Sequence, residues 1–189
     1  MTPAGTIAHL HSYLRRFAVD RKAISSVEFA LILPFMVFTY VGSAELGDGM
    51  AIYYKTTETA RTVTDLTSQY VTIDPTTMGN ILGASAQIVA PFSSSGMIVT
   101  LSQINPTNAS GQGTISWSCS LNGTARTVGS TVTLPTSLQT ESGVSIIWGE
   151  VTYPYTPAMG YAIAGTINLY QSIYFYPRLS NSVTLTSGC

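Results

Sequence analysis

Four basic residues, Arg15, Arg16, Arg21 and Lys22, stand just ahead of sixteen consecutive uncharged residues, Phe29 to Ala44 (FALILPFMVFTYVGSA). No other feature restricts the fold as strongly. With Ile24 to Val27 included the segment reaches about 21 residues, enough for a helix to cross a bilayer with its ends in the interface. The basic cluster sets the direction, because Lys and Arg hold their own side of a span in the cytoplasm. The N-terminus is therefore expected inside and the body of the chain outside. A buried helix of a soluble protein would share the apolar run but has no use for the cluster in front of it. Pro34 removes an intrahelical hydrogen bond and is expected to kink or loosen the helix one turn below it.

A cleaved secretory signal has the same grammar of basic residues followed by an apolar stretch. Glu28 counts against it, since a carboxylate inside an apolar segment is costly. The far end, TYVGSAELGD, nevertheless offers small residues around Gly42 to Ala44 where such a signal could be cut. Both readings stand at this point.

Charge is sparse and uneven. Only 9% of residues are charged, against roughly 25% in soluble chains, so part of the surface is expected to face lipid or a partner subunit. From residue 24 onward there are 4 Lys and Arg against 8 Asp and Glu, a formal net charge of −4. That balance excludes a nucleic-acid binder, whose affinity rests on phosphate contacts.

Beyond the span, Leu46, Met50, Tyr53, Thr57, Ala60, Val63 or Thr64 and Leu66 or Thr67 recur at intervals of three or four. Glu58 with Arg61 and Arg61 with Asp65 add favourable pairs, although six threonines weaken the helix propensity. The pattern predicts one long helix from about 24 to 68, with its polar-side half a stalk or packed on the domain. After Asp74-Pro75 the grammar becomes that of strands. Candidates are Ala84–Ala90, Met97–Gln103, Thr114–Cys119, Thr131–Leu134, Val144–Tyr153, Ile167–Phe175 and Val183–Leu185. Val144–Tyr153 and Leu169–Tyr176, the longest and most aromatic, are expected to be central. The fold class is thus α+β: a long N-terminal transmembrane helix followed by a mainly antiparallel sheet domain.

Little in the chain suggests chemistry. His9 and His11 have no companion ligands, and no histidine follows them, so a metal site or histidine base is not expected. Glu150, beside Trp148 and Tyr153, reads as a surface or strand-end carboxylate, and one carboxylate does not make a glycosidase pair. The aromatics Trp117, Trp148, Tyr153, Tyr155, Tyr161, Tyr170, Tyr174, Phe175 and Tyr176 read as core and subunit contacts rather than a glycan-binding face. Asn108-Ala-Ser110 and Asn122-Gly-Thr124 match the glycosylation triplet but carry little weight in a chain rich in Ser and Thr. GYAIAG, Gly160 to Gly165, lacks the pattern of a dinucleotide loop. The chain is read as a non-enzyme without cofactors. Cys119 and Cys189 are expected to be bonded, given an even count and an extracytoplasmic setting.

Glu28 needs a partner. Either it reaches the basic interface beside Arg21 and Lys22, or the helix is released from its leader and a new α-ammonium at Ile24 meets a neighbour's Glu28. Physics alone leaves both open.

The stretch DRKAISSVEFALILPFMVFTYVGSAELGDGMAIY, residues 20–53, resembles the N-terminal segment of TadE/TadG-like minor pseudopilins of the tight-adherence (Tad, or Flp) pilus system. There a basic leader is followed by a small residue, four residues, Glu-Phe and a run such as ALxLP. Glu45-Leu46-Gly47 matches the acidic Leu-Gly that closes the span. The ending, from Val151-Thr152-Tyr153-Pro154-Tyr155 with Pro157 to the Gly165–Arg178 stretch, is similar more loosely. Ala23 stands where the family usually has Gly.

The resemblance implies a leader, 1–23, removed by a prepilin-type peptidase between Ala23 and Ile24. It implies a helix, 24–68, spanning the bacterial inner membrane over about 24–46, and a periplasmic β-rich domain, 69–189. Glu28 and Phe29 would serve assembly. Partners would be the peptidase, other pseudopilins, the major pilin and the inner-membrane assembly platform. The role implied is pilus assembly, surface adhesion and biofilm formation, without catalysis. The competing reading is a membrane-tethered envelope protein with a non-catalytic glycan- or protein-binding domain.

Overall fold

The computed structural model describes residues 21–107, 111–138, 143–158 and 165–189, with side chains from residue 24 onward. Residues 1–20 of the leader with its histidines, the Asn108 triplet, Glu141, Tyr161 and most of the GYAIAG segment lie outside the described residues. By internal contacts the chain divides into Met1–Leu46 and Gly47–Cys189.

Helix α1 runs Arg21–Ser68, with Pro34 inside it. In its later part the side chains buried in the domain are Ile52, Thr56, Thr59, Ala60, Val63, Thr64, Thr67 and Ser68. Leu46, Met50 and Tyr53, which open the expected periodic series, are exposed instead. The reason is hydrogen bonding. Thr56, Thr59, Thr64 and Thr67 each donate their hydroxyl to the carbonyl four residues back, at 2.5–2.8 Å. The polar atom is satisfied within the helix, and the methyl is free to pack.

After β1 (Thr72–Ile73) comes α2, Pro75–Val89, where the sequence had suggested a strand at Ala84–Ala90. Asp74 explains the difference: its carboxylate caps the helix by accepting from the Thr76 and Thr77 amides at 2.9 and 3.0 Å. Pro75 occupies the first helical position, where no amide donor is needed. Met78, Ile81, Leu82, Ser85 and Val89 form the buried side of α2.

The domain's main sheet is an antiparallel half-barrel of β2 (Ile98–Thr107), β3 (Gln112–Leu121), β4 (Thr131–Thr133), β5 (Ile146–Tyr155) and β6 (Ile167–Phe175). Their order is β4-β3-β2-β5-β6. A separate parallel pair joins β1 to β7, Thr184–Leu185. β5 is interior as expected, but β6 is an edge and β2 takes the centre. β2 suits the centre because its inward Val99, Leu101 and Gln103 alternate with outward Thr100 and Ser102, whose hydroxyls bond Ser120 and Ser118 on β3 at 2.9 Å.

The inner face of the sheet packs on both helices. Val99, Leu101, Trp117, Cys119, Ile147, Val151 and Tyr153 meet Ile52, Ala60, Val63, Met78, Ile81 and Leu82 in one core. A register shift between Gln103 and Ile104 leaves Ser116 of β3 unpaired, so that Ile115 turns to the outer face beside Ile104. Ile104 and Ile115 then join Leu134, Ile146 and Trp148 in a second, smaller core on the outer face.

Candidate functional site

The anchor segment of α1 has the composition of a lipid-facing helix and the exposure to match. Its most apolar window has a mean hydropathy of 1.8, and none of it is buried by the rest of the protein. Phe29, Phe35 and Phe38 are 58%, 76% and 76% exposed. A core helix would show the reverse, and so uncovered an apolar surface in water is unfavourable. Two hydroxyls along it are satisfied within the helix, Thr39 donating to the Phe35 carbonyl and Ser43 to that of Tyr40, both at 2.8 Å. Lipid demands such internal satisfaction. The chain is a membrane-anchored protein with a folded domain after its anchor.

Ala23 and Ile24 both lie within α1. Glu28 and Phe29 are exposed, one turn further on, and the side chains of Arg21 and Lys22, which the sequence offered as partners for Glu28, lie outside the described residues. Glu28 is thus exposed on an uncovered apolar helix.

Cys119 and Cys189 are disulfide-bonded, with their Cα atoms 5.6 Å apart. The bond fastens the last residues to the C-terminal end of β3. Two further ties hold the same strap: the Trp117 indole donates to the Val183 carbonyl at 2.8 Å, and the Val183 amide donates to Gln103 Oε1 at 2.7 Å. Val183 itself is buried.

On the outer face of the sheet a charged cluster has formed that local sequence did not reveal. Arg126, in the loop after β3, clasps Glu150 of β5 through Nε and Nη2 at 2.6 and 2.7 Å. Tyr170 of β6 donates its hydroxyl to the same carboxylate at 2.7 Å. The guanidinium lies 3.9 Å over the Trp148 ring, which stacks on Tyr174 and donates to Ser172 Oγ. Glu150 is 8% exposed, which corrects its reading as a surface carboxylate: a buried charge persists here because it is paired and accepts three hydrogen bonds. The hydrogen bond to Glu150 holds the Arg126 pKa above its ordinary value. Burial, then the bond to Glu150, pushes the Tyr170 phenol up to about 12. Arg126 is the one charged residue between Asp74 and Glu141, and this isolation was the only sequence signal for the cluster.

Of the aromatic set, Trp117, Trp148 and Tyr153 are buried, whereas Tyr170 is 51% exposed. Among the described residues no group of three or more His, Cys, Asp or Glu is placed to hold a metal ion. No protein-family model matches the chain, and no curated protein or solved structure matches it either.

Proposed function

We propose that the chain is a minor-pseudopilin-like component of Tad/Flp pilus biogenesis, anchored in the bacterial inner membrane with its N-terminus cytoplasmic and its domain periplasmic. It supports pilus assembly, and through it adhesion and biofilm formation, without catalysis. The observation that carries this reading is the placement of Glu28-Phe29 at the start of an uncovered apolar helix, directly behind Arg21, Lys22 and a small residue. A carboxylate exposed on such a helix invites a cation from a neighbouring subunit. The Ile24 α-ammonium, released when a prepilin-type peptidase cuts after Ala23, is the cation that the sequence resemblance supplies. A domain whose helix packs on an antiparallel sheet agrees with the same plan.

Intact-mass analysis of protein from native membranes tests the reading. A chain starting at Ile24 is expected; a start at Met1 alone, or near Ala44, refutes processing. Glu28→Ala is expected to insert normally, since it removes a desolvation cost, but to co-isolate less with other pilus subunits. Reporter fusions after residues 22 and 70 are expected on opposite sides of the membrane, and two on one side would end the topology.

A further inference from the structure

The Arg126–Glu150 pair forms part of the wall of a hollow of about 420 Å³ on the outer sheet face. Thr100, Thr127, Thr152 and Tyr170 complete the walls that matter here. We infer that this hollow is a binding subsite for a neutral saccharide unit.

Charge narrows the ligand first. The guanidinium is matched by one carboxylate in bidentate contact, so the site has no net charge to offer. An anion would meet Glu150, and a cation would meet Arg126. A neutral group rich in hydroxyls meets neither penalty.

Hydrogen-bond capacity narrows it further. A guanidinium has five N–H donors and a carboxylate about four acceptor sites. The pair uses Nε and Nη2 of Arg126, and Tyr170 takes one more site on Glu150. Donor and acceptor capacity therefore remain side by side. Two adjacent sugar hydroxyls fit that arrangement, one accepting from the guanidinium and the other donating to the carboxylate. The threonine hydroxyls extend the same chemistry along the walls.

Rigidity makes the arrangement usable. Arg126 is held from below by Trp148 at 3.9 Å, and its backbone amide donates to Ser118 Oγ at 3.0 Å. Its fork is thus oriented before any ligand arrives, which lowers the ordering cost of binding. The half-exposed ring of Tyr170 gives a rim on which the C–H face of a pyranose can lie. The site stands independently of the pilus reading.

The test uses the full chain in nanodiscs of phosphatidylethanolamine and phosphatidylglycerol, which bring no sugar of their own. Saturation-transfer NMR is run against methyl glycosides of glucose, mannose, galactose and N-acetylglucosamine, with glucuronate as the charged control. At least one neutral glycoside is expected to bind at millimolar concentration, and more tightly than glucuronate. Tyr170→Ala and Thr152→Val, which leave the ion pair in place, should each weaken that binding, the former by about tenfold, equal to ~1.4 kcal/mol. Circular dichroism of both variants establishes that they fold. No transfer to any neutral glycoside, preference for glucuronate, or binding untouched in both folded variants would each overturn the subsite.

Discussion

Gly149 of β5 lies against Thr64 of α1 so closely that a Cβ on the glycine would overlap the threonine's Oγ1, with the Ala60 carbonyl 3.3 Å away. The helix can sit this deep on the sheet because three small choices coincide: no side chain at 149, a methyl at Ala60, and a threonine whose hydroxyl turns back to its own helix. Gly149→Ala is expected to lower stability by about 1–3 kcal/mol through overpacking. In a Thr64→Ala background the same change should cost much less, because the overlapping oxygen is gone. Urea denaturation of the four members of this cycle measures the coupling; additive effects would show that the close approach is unimportant.

The disulfide should matter through the unfolded chain. Cys119 and Cys189 are 70 positions apart, and closing a loop of that size limits the denatured ensemble by on the order of 4 kcal/mol in the loop-entropy model. Cys189→Ser is the cleaner variant, since Cys119 is wholly buried and a hydroxyl there would add its own penalty. A loss of about 2–4 kcal/mol is expected. Peptide mapping without reductant that found two free thiols would defeat the prediction.

Glu150 and Arg126 should not be equivalent when mutated. The Glu150 side chain is 10% exposed and that of Arg126 is 37% exposed. Arg126→Ala leaves a buried carboxylate with only Tyr170 as a charged-state partner and is expected to cost about 3 kcal/mol. Glu150→Ala leaves a guanidinium that can turn toward water, so its cost should be smaller. Thermal denaturation in parallel decides the order, and a larger loss for Glu150→Ala would contradict it.

Asp74 gives the domain an acid-sensitive joint. Hydrogen bonds from Thr77, chiefly its backbone amide, hold the carboxyl pKa below the ordinary value. A group lowered in the folded state contributes stability at neutral pH that is lost as pH falls below the usual carboxylate range, about 4. The stability difference between wild type and Asp74→Ala should therefore be largest near neutrality and shrink in acid. A difference constant across that range would rule out the cap as its source.

The helices and strands differed in how plainly their residues announced them. β2, β3, β5 and β6 alternate over most of their length between turn residues, and α1 combines an apolar run with a long helical period, so all five were legible. α2 was not, because its glycines and β-branched residues resemble a strand; the informative signal was Asp74-Pro75 just before it. The aromatic residues of β6 point to a central strand, because aromatic strands are usually well buried, yet its tyrosines serve the outer-face cluster at the sheet edge. Burial of the threonines on α1 contradicts their polarity until the backward hydrogen bonds are drawn. Arg126 and Glu150 lie 24 positions apart, with no periodicity to link them. Only the strand register brings them together. In the anchor, by contrast, Glu28 was conspicuous, since a carboxylate among apolar residues stands out without any tertiary knowledge.

The ties between the two ends of the folded domain span an unusual length of chain. Arg178 pairs with Asp65, and Thr186 donates to the Ile73 carbonyl, each across 113 positions. Contacts this distant can form only after most of the intervening chain has emerged and collapsed, so folding should be slow and concerted. Until then the threonine-lined side of α1 and the inward valines stay uncovered. Synthesis of the chain thus outruns folding, and the interval between them is when the chain most needs protection from proteolysis and aggregation.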